Sequence, residues 1–153
     1  MRRVSVLLPI ALFASLISGC GRGTGSASSE AELPRSGSGV TFTKLGFDEA
    51  LGKARSGKTL LMVDVYTDWC GWCKKLDRDV FADERVGSAT KSLVAIRLDA
   101  ERGGEKVAEK FRIEGFPTVL FLNPDGEIVS RVNGYVTRDQ MLELLAALSK
   151  KGT

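Results

Sequence analysis

Two of the three cysteines, Cys70 and Cys73, stand at C-x-x-C spacing within Trp69-Cys70-Gly71-Trp72-Cys73-Lys74. The apolar run Thr59–Tyr66 precedes them and a helix-compatible segment follows. A cysteine pair between a strand and a helix start is placed for dithiol–disulfide chemistry. At a helix mouth, unpaired N–H groups and the helix dipole favour a thiolate on Cys70, against a free-thiol pKa of about 8.5. Cys73, one turn on, is placed to attack a mixed disulfide formed on Cys70. Two competing readings are a structural bridge, which would constrain little over so short a loop, and half of a metal site, which needs ligands from another chain. Asp64, six residues before Cys70, is the one charge in the apolar run and needs a partner or a purpose. Burial raises a lone carboxyl's pKa and suits it to proton transfer; the alternative is a charge at a strand edge.

The rest of the composition narrows the field by exclusion. There is no histidine, which removes His bases, Ser/His and Cys/His pairs and His-bearing zinc sites. C-type haem attachment is excluded as well, because Lys74 stands where that motif needs His. The formal charge is +3, and without Arg2 and Arg3 the 20 remaining basic side chains face 19 acidic ones. That balance gives no basic patch for nucleic acid. No cofactor and no metal are expected.

Periodicity supplies the elements that must hold the dithiol. Val40–Thr43 alternates as a short strand. Phe47, Ala50, Leu51 and Ala54 give a helix over Phe47–Ser56 that Gly57 ends. Thr59–Tyr66, apolar at nearly every position, reads as a strand buried on both faces. Cys73–Phe81 continues as a helix with Leu76, Val80 and Phe81 inward, and Asp83–Ser92 adds a helical turn or two. Leu93–Leu98 is a strand, Glu105–Phe111 a short helix, Thr118–Leu122 a strand. Asn123-Pro124-Asp125-Gly126 has turn chemistry and returns Ile128–Val132 as a hairpin partner. Thr137 and Gln140 form a capping box for a last helix with Met141, Leu144, Leu145 and Leu148 inward. The order predicts an α/β domain over 40–153, a central mixed sheet with helices on both faces.

Residues 1–19 read as a secretory signal: the basic Arg2 and Arg3, a mostly apolar Val4–Ile17, then Ser18 and Gly19. The apolar stretch is short of the roughly 20 residues a span needs. Leu16-Ile17-Ser18-Gly19-Cys20 resembles a bacterial lipobox, which makes Cys20 the lipidated mature N-terminus; ordinary cleavage nearby would instead leave it a free thiol. Two or more acyl chains anchor stably, at about 0.8 kcal/mol per buried CH₂. Residues 20–39, rich in Gly and Ser, read as a flexible linker spanning on the order of 25 Å. The expected location is the bacterial cell envelope, facing the periplasm or exterior, with the choice of inner or outer membrane open.

Asp64-x₄-Trp69-Cys70-Gly71-Trp72-Cys73-Lys74, Gly115-Phe116-Pro117-Thr118 and Gly134 together resemble the thioredoxin superfamily over about residues 40–150. Within it, Asp64–Cys70 and Lys74–Phe81 are similar to the C-terminal domain of the disulfide interchange protein DsbD. The resemblance implies a thioredoxin fold and a redox-active Cys70–Cys73 disulfide. It implies that Asp64 assists proton transfer at Cys73, with Asp77 as a second acid; an exposed helix acid is the competing reading of Asp77. It implies a cis Pro117 facing the dithiol, where the backbone of Phe116, Pro117 and Thr118 pairs with an extended substrate segment. Trp72 is expected to be exposed as an apolar docking surface beside Cys70. Trp69 is a substrate contact or a packing residue, and Lys74 and Lys75 a solvated face. Gly71-Trp72 is neither the Gly-Pro of thioredoxin nor the Pro-His of strong oxidases, which leaves the potential open.

The reading that follows is a membrane-anchored extracytoplasmic thiol–disulfide oxidoreductase, reductase or interchange in direction. Its partners would be cysteine-containing extracytoplasmic proteins and a membrane electron donor of the DsbD/CcdA type. Two alternatives stand: a thioredoxin-fold binding module or holdase with an incidental dithiol, and a disulfide oxidase or isomerase.

Overall fold

A computed structural model describes residues 39–151. The expectations placed on residues 1–38, including the signal, Cys20 and most of the linker, lie outside the described residues. The sheet has four strands in the order β2-β1-β3-β4: β1 Leu61–Tyr66, β2 Val94–Asp99, β3 Thr118–Leu122 and β4 Ile128–Asn133. β1 runs parallel to β2 and antiparallel to β3, and β3 is antiparallel to β4. The helices are α1 Phe47–Gly57, α2 Gly71–Leu76, α3 Glu84–Thr90, α4 Glu105–Lys110 and α5 Arg138–Lys151.

Strand alternation divides the core in two. Leu61, Val63 and Val65 of β1 join Ala50 and Ala54 of α1, Val107 of α4 and Phe111 on one face. Met62 joins Leu76, Val80, Phe81, Val86, Met141, Leu145 and Leu148 on the other. Asp64 shares the second face with Met62, so its side chain lies on the side that carries α2. This is the mixed sheet with helices on both faces that the periodicity predicts. The capping box of α5 forms: the Thr137 N–H donates to Gln140 Oε1 at 2.9 Å and the Gln140 N–H to Thr137 Oγ1 at 3.4 Å.

Two elements differ from expectation. Val40–Thr43 is not a strand; Thr43 alone bridges Ile96. The Thr43 N–H and hydroxyl both donate to the Ala95 carbonyl, at 2.8 and 3.0 Å, while the Val40 N–H goes to the Phe81 carbonyl at 2.8 Å. The end of a helix leaves carbonyls in need of donors, and that demand draws Val40 off the sheet. The helix expected over Cys73–Phe81 widens to a π-helical turn at Asp77–Phe81, with the Ala82 N–H reaching the Asp77 carbonyl at 2.9 Å. The extra residue lets Leu76, Val80 and Phe81 all be buried while Asp77 stays turned toward β2.

Candidate active site

Cys70 is the N-cap of α2 and is joined to Cys73 by a disulfide. The Cys73 N–H donates to Cys70 Sγ at 3.0 Å, so a backbone donor is already aimed at the sulfur that would carry negative charge. Both cysteines are nearly covered, Cys70 at 5 % and Cys73 at 2 % exposure. The Phe116–Pro117 bond is cis. The Pro117 carbonyl accepts from the Gly134 N–H at 2.7 Å, which ties the proline loop to the end of β4. Phe116 makes no backbone hydrogen bond among the described residues, so its N–H and C=O are free to pair with an incoming strand. Thr118 is buried, and its hydroxyl donates to the Gly115 carbonyl at 2.8 Å; the side chain braces the loop.

Two aromatic pairs border the disulfide. Trp69 and Trp72 are 67 % and 60 % exposed. Trp69 meets Phe116 edge-on with centroids 6.1 Å apart, and Trp72 leans on Tyr135 at 5.7 Å. The Trp69 indole N–H donates to Glu101 Oε1 at 3.0 Å. The Tyr135 hydroxyl donates to Asp79 Oδ2 at 3.2 Å, and Lys75 pairs with the same oxygen at 2.5 Å. Lys75 is therefore part of the wall behind Trp72, while Lys74 is solvated.

The 99–104 loop carries Glu101 and also Arg102, whose guanidinium pairs with Asp68 and, at 2.9 Å, with Asp99. The loop is pulled tight by the Gly104 N–H on the Asp99 carbonyl at 2.8 Å. A Cβ on Gly104 would lie 2.5 Å from that carbonyl oxygen. Gly104→Ala is expected to lower the urea unfolding free energy by about 1–3 kcal/mol. An unchanged midpoint and slope would contradict the close approach.

On the α2 face of the sheet lies a charged triad. Asp64 is fully buried, and its Oδ2 accepts from Arg97 Nε at 2.8 Å. Arg97 Nη2 lies 2.8 Å from Asp77 Oδ1. The guanidinium is held between aromatic faces, 4.4 Å from the Tyr66 centroid and 5.6 Å from that of Phe42. Asp64 Oδ1 is buried with no hydrogen-bond partner. Loss of water raises the Asp64 pKa from 3.8 to about 6; Arg97 opposes the rise and the Asp77 charge adds to it. For Arg97, burial acts downward, but Asp64 and Asp77 outweigh it and hold its pKa above the ordinary value. A carboxyl titrating near pH 6 can give and take protons under physiological conditions.

The structure thus gathers Cys70, Cys73, Trp69, Trp72, Phe116 and Pro117 at one end of the sheet, and brings Asp64 and Asp77 together through one cation. That cation is the residue the sequence reading missed. Its signal was available: Arg97 is the lone charge in the apolar run Leu93–Leu98, as Asp64 is in its own. Their pairing rests on the β1–β2 register, which sets Asp64 opposite Arg97. Tyr135 carried no comparable mark. No group of three or more Cys, Asp or Glu side chains among the described residues is arranged to hold a metal.

A family model described as a thioredoxin-like domain matches residues 47–149. A thiol:disulfide interchange protein DsbD of Actinobacillus pleuropneumoniae serotype 5b (strain L20) is 31 % identical over 100 residues, covering 62 % of this chain and 17 % of that protein. The chain spans about a fifth of the length of the curated relatives it matches. Among solved structures, a thioredoxin from Thermus thermophilus superposes with a TM-score of 0.64 at 28 % identity, covering 70 % of this chain and 86 % of that one. A candidate disulphide-isomerase from Bacteroides thetaiotaomicron gives 0.62 at 37 % identity, covering 69 % and 88 %.

Proposed function

The chain belongs to the thioredoxin-like domain family, and from that premise we propose that it is a lipid-anchored thiol–disulfide oxidoreductase of the cell envelope that passes electrons to disulfide-bonded proteins. The observation that carries the reading is the Cys70–Cys73 disulfide at the start of α2, at the same end of the sheet as the cis Phe116–Pro117 bond, with buried Asp64 on the α2 face of the sheet. In the reduced enzyme the Cys70 thiolate attacks one sulfur of a partner disulfide. A Cys70–partner mixed disulfide forms, and the partner's second sulfur leaves as a thiolate and takes a proton. Cys73 then loses its proton, with Asp64 as the acceptor, and its thiolate attacks Cys70 Sγ. The Cys70–Cys73 bond forms and the partner's first sulfur departs as a thiolate. Two electrons have passed to the partner, and a second dithiol must return them.

The reductive direction draws on the likeness to interchange proteins of the DsbD type and on the lack of the histidine found in strong oxidases. A membrane dithiol donor of the DsbD/CcdA type would re-reduce the domain, and the tether follows from the lipobox-like segment ending at Cys20. Two measurements test this. Cys73→Ala is expected to accumulate covalent, dithiothreitol-sensitive adducts with extracytoplasmic proteins, because the first bond forms and cannot be resolved; a clean lane would refute the two-cysteine cycle. Equilibration with glutathione buffers is expected to give a potential nearer that of thioredoxin, about −270 mV, than that of DsbA, about −120 mV. A value at the oxidising end would reverse the assigned direction.

A further inference from the structure

On the α4 face of the sheet, beside the proline loop, is a concavity of about 520 Å³ whose polar side chains are Arg112, Glu114, Thr118, Arg131 and Asn133. Its remaining wall includes Phe116 and Gly134, the same residues that border the dithiol: Phe116 packs on Trp69, and the Gly134 N–H holds the Pro117 carbonyl. Arg131 stands opposite Leu120 in the β3–β4 register and so projects toward α4. There it donates through Nη2 to the Phe111 carbonyl at the end of α4, while its Nε–H is buried and has no partner. Arg112 follows directly, in the left-handed region at φ 48°. Neither arginine is paired with an acid among the described residues. Glu114 is the one opposing charge in the lining.

The geometry points to a carboxylate subsite: the concavity takes an Asp or Glu side chain of the partner polypeptide, a few residues from the cysteine that Cys70 attacks. Three observations carry it. The Arg131 guanidinium is fixed in place by a backbone carbonyl, so little rotamer freedom is lost when a ligand docks. Neither guanidinium is neutralised by an acid among the described residues, so a carboxylate that enters the cup meets two cations with no competing ion pair. Two guanidinium groups against one carboxylate leave the cup positive, and a segment laid along the unpaired backbone of Phe116 passes it. The inference deepens the proposed thiol–disulfide exchange and rests on it.

The test uses the full chain, pre-reduced, in single-turnover reactions with quenched fluorescent peptides that carry an internal disulfide. The peptides have Glu, Gln or Lys at each of three positions on either side of the reactive cysteine. At one position Glu is expected to react about tenfold faster than Lys, with Gln between them, and the ratio should shrink at about 0.5 M salt. Arg112→Met/Arg131→Met is expected to bring the Glu:Lys ratio to within about twofold. Arg131→Lys, which keeps the charge but not the fixed guanidinium, should give a Glu:Lys ratio between those of wild type and the double variant, which a general loss of packing would not produce. Equal rates for all peptides, or a preference that survives the double substitution, would overturn the subsite and leave the exchange reading standing. Failure of every peptide to react would overturn both.

Discussion

Cys70→Ser is expected to reduce insulin-disulfide reduction to the uncatalysed rate, a loss of at least about a thousandfold. The reason is chemical, and the shape of the site hardly enters. A serine hydroxyl at the α2 N-cap can still accept the Cys73 N–H, as Cys70 Sγ does at 3.0 Å. It cannot ionise near neutral pH, and it cannot form a bond that another thiolate will break reversibly. Stability is a small part of the effect, since a bridge that closes so short a loop restricts the unfolded chain little. Comparison with the reduced wild-type domain removes even that part. Cys73→Ser separates the two sulfurs: it should still consume one equivalent of partner and then stop. Retention of more than about a tenth of wild-type turnover by Cys70→Ser would mean that another group starts the reaction, and the mechanism above would be wrong.

The second large effect belongs to Asp64 and has opposite signs in rate and in stability. Its pKa is about 6 in the folded chain against 3.8 for an ordinary Asp, with lost hydration as the main cause. A raised carboxyl pKa means that the native state holds the proton more tightly than the unfolded chain. The group therefore favours the fold most below pH 3.8. That advantage is lost as pH rises toward 6, and above 6 the native state carries a buried anion that it would be more stable without. The interval from 3.8 to about 6 converts to about 3 kcal/mol. Asp64→Asn should abolish this slope. Urea unfolding at pH 4 and pH 8 should show the variant gaining on wild type by about that amount. Arg97 keeps Asp77 as a partner at 2.8 Å, so the substitution does not strand the cation. The same variant should slow the resolution of mixed disulfides by about ten- to a hundredfold, because Asn cannot take the Cys73 proton. The limb of the pH–rate profile near pH 6 should also disappear. Parallel stability–pH curves for the two proteins, or an unchanged rate limb, would remove Asp64 from the proton path.

What the sequence disclosed follows the range of the interactions concerned. Elements set by local pattern were legible: β3 falls at Thr118–Leu122 as the apolar run predicts, and the Thr137/Gln140 cap is a three-residue motif that forms as read. Asp64 was legible as an anomaly because a charge in a buried strand violates a local rule. Its partner was not, because which residue of β2 lies opposite it depends on sheet register, a non-local property. The widening at Asp77–Phe81 was hidden for a similar reason. Leu76, Val80 and Phe81 fit an ordinary helix face, and the extra residue per turn answers to packing against α3 and α5. Val40–Thr43 alternates like a strand, but the unpaired carbonyl of Phe81 captures Val40. Tyr135 lies in a loop, where periodicity carries no information, and its place beside Trp72 emerges only in three dimensions.

The alternation of β1 makes two properties of the molecule separately adjustable. Val63 and Val65 answer to α1 and α4, whereas Asp64 between them answers to the chemistry on the opposite side. Substitutions that repack the α1 face away from Phe116, which packs against the same cluster, change how firmly the sheet is held yet leave Asp64 and Arg97 untouched. Durability can therefore be altered, by selection or by design, without resetting the ease with which the cysteines exchange electrons. Changes on the α2 face move both at once.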